Sequence, residues 1–482
     1  MRFRPVWLTV LVLLGPVYIW AHIIDARLSG DVFWQWTAGQ AMLQAGHVLH
    51  HDPFSWTMHG KPWVTEEWGF EVLLAALVQT IGPTAFWMMS AGAASLAVVG
   101  VVARLREMGH GWEKAAVLAA LASLALPIFV KTRPQEFSYA FTAWELYLLT
   151  RARRQPQAAW LLIPLLWVWT NMHGSFLLGF VLLGLETLWS WRPVNWGLFV
   201  TPPTRLGPGR LLAAGAAATL LSFVNPNGPG LWVYAWHVSF SPVISQMISE
   251  WQSPDFHSTV LLLAVAGPLT LLILAMAGRR ARVPWPDFVL TGGFFVATLR
   301  AARFMPYYLL EWPVLLADLT PAVDFRHVKP ALIAPVVALA EVAILFAHPV
   351  VPPGTVSEQE PIAAATYLRH HAGRVFNAYH WGGYLIYRQV PVFVDGRTDF
   401  YLPSHVLQNY LAVKDLTKNP DVILGRYRVR YVVWPPGQAL DQYLLTDRAA
   451  WKVVLDSRAA MVFEHVGPWG AQVRTVTRGS LG

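Results

Sequence analysis

The chain has no cysteine among its 482 residues, which excludes disulfides, thiolate metal sites and cysteine nucleophiles. Charge is also scarce: only 13% of residues are Asp, Glu, Lys or Arg, about half the share usual in a globular domain. Several chemistry-bearing motifs are missing. There is no Walker lysine loop, no G-x-G-x-x-G after a strand, no G-x-S-x-G and no H-E-x-x-H. Nucleotide-driven pumping and ordinary serine or zinc hydrolysis lose their usual signals. Heptads and low-complexity tracts are absent too.

What the chain has instead is apolar surface. Hydrophobic residues make up 55% of it, with 25 Trp and a mean hydropathy of +0.41. Its apolar runs approach the roughly 20 residues that a helix needs to cross about 30 Å of hydrocarbon. The net charge of +8 does not point to nucleic acid. Most Lys and Arg lie in short loops between apolar runs, where they set membrane topology.

Taken in order, Pro5 to Ile24 reads as an uncleaved first helix, with Arg2 and Arg4 holding the N-terminus in the cytoplasm. A first outer loop follows, residues 25–71. The stretch from Phe70 to Ala103 is broken at Gly82-Pro83 into an interfacial helix and a crossing. Further crossings are expected at Ala115–Val130, Phe137–Leu149, Trp160–Thr170, Phe176–Trp191, Leu211–Val224, Val260–Ala277, Phe288–Leu299, Tyr307–Leu319 and Ala331–Phe346, giving about eleven. Basic clusters such as Arg104/Arg106 and Arg151/Arg153/Arg154 then share the cytoplasmic side. From about Val351 the composition changes to a proline-rich linker. Strand-like runs (VPVFVDG, VRYVVWPP, WKVVLD, AMVFEHV) then mix with helix-like ones, which predicts a small α/β domain. The predicted fold is an α-helical polytopic membrane protein, 1–350, carrying a C-terminal α/β extracytoplasmic domain, 351–482.

Three groups of residues carry potential chemistry. The first outer loop concentrates acids among tryptophans: Asp31 in GDVFWQW, Asp52 in HHDPFSWT, and Glu66-Glu67 opening a helix, where acids favour the positive terminus. HVLHHD gathers His47, His50, His51 and Asp52, but the paired helical spacing of a metal site is missing. The second group is basic residues on the wrong side: Lys131, Arg133, Arg300 and Arg303 fall at outer helix ends. They either snorkel to headgroups or bind a phosphorylated ligand bidentately. The third is polar residues at outer turns: Asn171 and His173 in NMHGS, Asn225 and Asn227 in NPNG, and Glu250, Asp255 and His257 in EWQSPDFHS. NPNG is a good turn. Asn171 and His173 sit in an apolar turn, where buried polar groups need partners.

These elements, DVFWQW, DPFSWT, GKPWV, RPQ, NMHG, NPNG, EWQSPDFHS, RFMP, WGGYLIY and VFVDGRTDFY, resemble a bacterial group of GT-C-like membrane proteins. The wider resemblance is to the GT-C superfamily of polyprenyl-phosphate-dependent membrane glycosyltransferases, and it spans Asp31 to Asp399. It implies that a first-loop carboxylate acts as, or assists, the catalytic base and holds a divalent cation such as Mg or Mn, while outer basic residues hold the lipid phosphate. Here the matching positions are Asp31 and Arg133, Arg300 and Arg303. The chain departs from the pattern in having no adjacent acidic pair or D-x-D after the first helix; Gln35 stands where the narrower group often has histidine, as does Glu66.

The leading expectation is a glycosyltransferase of the bacterial cytoplasmic membrane using a polyprenyl-phosphate-linked sugar on the extracytoplasmic side. Asp31 would be the base, with Asp52 or Glu67 positioning it. Arg133, Arg300, Arg303, Asn171, His173 and Glu250 would bind substrate. The rival is a non-catalytic lipid-linked glycan binder or envelope-assembly subunit. A transporter is disfavoured because the noted acids sit in loops.

Overall fold

A computed structural model describes residues 30–123, 125–278, 282–321, 360–467 and 469. The expected first helix Pro5–Ile24, the expected last crossing Ala331–Phe346, the linker after Val351 and the basic residues Arg279, Arg280, Arg326 and Lys329, whose side is expected to be cytoplasmic, lie outside the described residues. The described chain forms two compact units, one from 66–70 and 81–321, the other from 30–65, 71–80 and 360–469.

The first unit is helical. Hydropathy placed its helices well: Thr84–Glu107, Trp112–Ser123, Gln135–Ala152, Leu162–Met172, Phe176–Trp191, Pro208–Ser222, Thr259–Ala277, Trp285–Arg300 and Met305–Leu319 overlie the expected runs. The break at Gly82-Pro83 is present, with Gly82 at φ 69° and Pro83 capping the next helix. By length and composition, Thr84–Glu107 and Thr259–Ala277 can cross a membrane. Most others are shorter, so the number of crossings stays an expectation. Thr84–Glu107 packs on Gln135–Ala152 through small residues, as apolar helices in close approach require. Ala93, Ala94 and Ala97 are buried there, and a Cβ on Gly100 would come within 2.9 Å of Ala143 Cβ.

Two sequence expectations need correcting here. Arg104, taken as a loop charge, is buried. Its guanidinium binds Glu311 Oε2 at 2.6 Å, Asp287 Oδ1, and Thr150 Oγ1 at 3.1 Å. Arg153 forks onto both oxygens of Glu186 at 2.8 and 2.7 Å. Second, acids are not confined to loops: Glu145, Glu186, Asp287 and Glu311 lie buried inside helices. A charge in an apolar interior is retained only when paired, and Arg104 and Arg153 between them supply pairs for three of these acids. The argument from loop acids against a transporter therefore falls. A small sheet that hydropathy did not anticipate joins β1 (Asn195–Trp196), β2 (Phe199–Val200) and β3 (Val283–Pro284) in that order.

The second unit is α/β. Its sheet runs β4 (Val375–Asn377), β5 (Tyr431–Trp434), β7 (Met461–His465), β6 (Trp451–Asp456), with β4 parallel to β5 and the other pairs antiparallel. Three of the four expected strand runs are strands. VPVFVDG is not one. Its Val392, Phe393 and Val394 are buried, but its backbone is satisfied from elsewhere. Val392 O accepts from Trp56 N at 3.0 Å, and Asn377 takes Phe393 N and Val394 O through its side chain at 2.8 and 2.9 Å. The first-loop helix Gly30–Ala45 belongs to this unit and packs on Gly382–Tyr387. Phe33 meets Tyr384 edge-on and stacks on Tyr387, and Trp36 stacks on Tyr387.

Candidate functional site

In the first unit the off-pattern cations are built into turns. Thr132 has φ 45°, a left-handed conformation that costs a β-branched residue energy and recurs at functional turns. It is held by Ser90 Oγ at 3.0 Å and by the Phe86 carbonyl at 3.2 Å. The Glu136 carboxylate accepts from the backbone N–H groups of Lys131 and Arg133. This fixed turn delivers Arg133 Nη1 to Glu250 Oε1 at 2.6 Å. Arg303, on the short turn Ala302–Phe304, lies over the Trp251 ring at 4.0 Å. Arg300 ends its helix exposed to solvent.

The same unit holds a hydroxyl–imidazole cluster around His173. His173 Nδ1 meets Ser138 Oγ at 3.0 Å and Ser175 Oγ at 2.7 Å and accepts from Ser175 N at 3.3 Å. The Tyr307 ring stands beside both serines, and Trp169 Nε1 lies 3.2 Å from each. With Nδ1 an acceptor, the ring proton belongs on Nε2, which faces Glu67 Oε1 at 3.9 Å. Burial first, then the Arg303 charge, pushes the His173 pKa down to about 3, so the ring is neutral at working pH. Asn171 accepts from Trp68 Nε1 at 3.0 Å and donates to the Trp167 carbonyl at 2.9 Å. Sequence reasoning missed Ser138, Ser175, Trp251 and Tyr307, although three of them stand in or beside the motifs NMHGS, EWQ and RFMP.

In the second unit Asp31 opens the helix Gly30–Ala45. A Cβ at Gly396 would collide with its Oδ1, so the Asp31 carboxylate sits directly against this glycine and would have to move for any larger residue. Asp52 is fully engaged. It accepts from Phe54 N at 3.1 Å, Ser55 N at 3.0 Å and Ser55 Oγ at 2.5 Å, and pairs with Arg397 Nη1 at 2.9 Å. Arg397 in turn forks onto Asp395 at 2.8 and 2.6 Å, and Tyr401 donates to Asp395 at 2.8 Å. Its guanidinium lies against Trp63, Phe400 and Phe54 at 4.5, 5.0 and 5.4 Å. Arg397 and Asp395 are the residues of VFVDGRTDFY that the sequence did not mark as a pair.

Among the described residues no three His, Asp or Glu side chains are placed to hold a metal ion. Among the described residues the side chains alone therefore do not supply a set for the Mg or Mn that the resemblance implies.

No family model matches the chain, and no curated protein matches it in sequence. Among solved structures it is similar to the oligosaccharyltransferase of Archaeoglobus fulgidus in the apo form (TM-score 0.60, 11% identity, 93% of this chain and 72% of that one). It is also similar to AglB from Archaeoglobus fulgidus in complex with an inhibitory peptide and a dolichol-phosphate (TM-score 0.60, 10% identity, 93% and 71%). A third similar structure is ArnT from Cupriavidus metallidurans bound to undecaprenyl phosphate (TM-score 0.55, 15% identity, 97% and 99%). At these identities the likeness concerns architecture alone. The chain has a GT-C-like fold.

Proposed function

We propose that the chain is a membrane glycosyltransferase that moves a sugar from a polyprenyl-phosphate donor to an acceptor on the extracytoplasmic side. One observation carries this reading: the fold matches ArnT, solved with undecaprenyl phosphate, over nearly the full length of both chains. The turn-held Arg133 and Arg303 support it from within the first unit, because cations stabilise a leaving phosphate. Exposed Arg300 is a third cation for the same ligand. In an inverting transfer the acceptor oxygen bonds the anomeric carbon as its proton passes to Asp31. The bond from that carbon to the phosphate oxygen breaks, and the electron pair stays on the phosphate. Asp52 is a positioning residue, since all its acceptor sites are taken. Glu67 orients neutral His173 through Nε2, and Asn171 fixes the turn on which His173 sits.

The test uses the full chain in proteoliposomes with radiolabelled polyprenyl-phosphate sugars. Wild type is expected to turn over, and Asp31→Asn to lose about 100-fold or more, the scale of a lost general base. Undiminished turnover in Asp31→Asn removes Asp31 as base. Donor binding without turnover in both proteins favours the rival, a lipid-linked glycan binder.

A further inference from the structure

One short turn holds both of the cations just assigned to phosphate. Glu250 pairs with Arg133 at 2.6 Å, and the next residue, Trp251, lies under Arg303 at 4.0 Å. Gln252 O accepts from Ala302 N at 2.9 Å, which pins the turn beside the Arg303 segment. Side-chain exposures of 28% for Arg133 and 36% for Glu250 leave the pair open to a ligand. A carboxylate at this distance from a guanidinium takes the place that a phosphate oxygen would take, because both anions suit the same donor fork.

We infer that Glu250 is an internal stand-in for the ligand phosphate: it holds Arg133 until a phosphate displaces it, and Trp251 releases Arg303 in the same movement. The inference rests on the polyprenyl-phosphate reading. It makes binding an exchange of anions. A sugar phosphodiester carries one charge, the same as Glu250, and gains little from the exchange. Once the bond between sugar and phosphate breaks, the phosphate becomes a monoester carrying about −1.5 to −2, and it outcompetes the carboxylate. Displacing Glu250 costs the same for either phosphate, so what accelerates the reaction is the stronger attraction of Arg133 and Arg303 for the charge that develops on the leaving phosphate in the transition state.

The purified full-length chain is titrated with farnesyl phosphate, its methyl diester and farnesol. Wild type is expected to prefer the monoester to the diester. Glu250→Gln should tighten both phosphates by about two- to fivefold, the worth of a partly exposed ion pair, because the same contact is displaced by either. Glu250→Asp, with the charge kept on a shorter arm, should fall between the two proteins. Arg133→Gln should weaken the monoester by about tenfold. If Glu250→Gln and Glu250→Asp both bind as wild type does, while farnesyl phosphate still outbinds farnesol, the stand-in role is overturned and the phosphate reading stands. Farnesyl phosphate binding no better than farnesol in wild type and Glu250→Gln overturns the phosphate reading itself.

Discussion

At the scale of single residues, the second unit is organised by a guanidinium. Arg397 faces two carboxylates, Asp52 and Asp395, with its side chain 2% exposed. Removing one member of such a buried set strands the others without solvent. Arg397→Gln should therefore destabilise this unit by about 3–5 kcal/mol, read as a lowered urea midpoint with Trp fluorescence as the probe. An unchanged midpoint would show that Asp52 and Asp395 find other donors. Glu360 gives a pH prediction. Burial, with the Asp31 charge adding to it, raises its carboxyl pKa to about 7. The folded state then keeps a proton that the unfolded state has lost, so this contribution to stability is fully present below about pH 4.5, is lost as pH rises toward 7 and levels off above it. Glu360→Gln should flatten the slope between pH 5 and 7 in thermal unfolding; a slope that persists assigns it to another group. The sequence revealed Asp52 because an acid among aromatics stands out. It hid Arg397, because an arginine beside an aspartate in a turn looks the same whether solvated or buried, and only the distant 52–55 loop decides.

At the scale of elements, hydropathy read the helices well and their glue poorly. An apolar run declares itself locally, whereas the Arg104 clamp draws Thr150, Asp287 and Glu311 from three other helices. In sequence each looked like a loop charge or an isolated polar residue. VPVFVDG erred for the opposite reason: its composition is strand-like, but the Asn377 side chain and the 54–56 segment take the hydrogen bonds that a neighbouring strand would take. The clamp predicts a large single-site effect. Arg104→Ala leaves Asp287 and Glu311 buried without their shared cation and should cost about 3–5 kcal/mol, seen as lost monodisperse protein after detergent extraction. Arg104→Lys should recover only part of it, because an ammonium cannot present the guanidinium fork. Full recovery by lysine would mean that charge alone, and not the fork, holds these helices.

At the scale of the whole molecule, the GT-C-like fold and the charge distribution bear on topology together. Positive-inside counting weighs solvated Lys and Arg near helix ends. The structure removes Arg104 and most of Arg153 from that count, because both are spent on internal acids. Arg106 is also engaged, bonding the His110 carbonyl and lying over Trp112 at 4.6 Å. What remains near the 107–112 and 151–155 turns is Arg151 and Arg154, with Arg192, Arg205 and Arg210 further along, against Lys131, Arg133, Arg300 and Arg303 at the opposite helix ends. Two of that second set, Arg133 and Arg303, are held by Glu250 and Trp251. The balance thus still favours the 151–155 turn as cytoplasmic, though by a smaller margin than the raw sequence implies. Alkaline phosphatase fused after Arg154 should be inactive, and fused after Gly354 active, since the enzyme matures only outside the cytoplasm. The reverse pattern would place the Arg133 turn in the cytoplasm and remove the extracytoplasmic donor from the proposed reaction, whatever the fold.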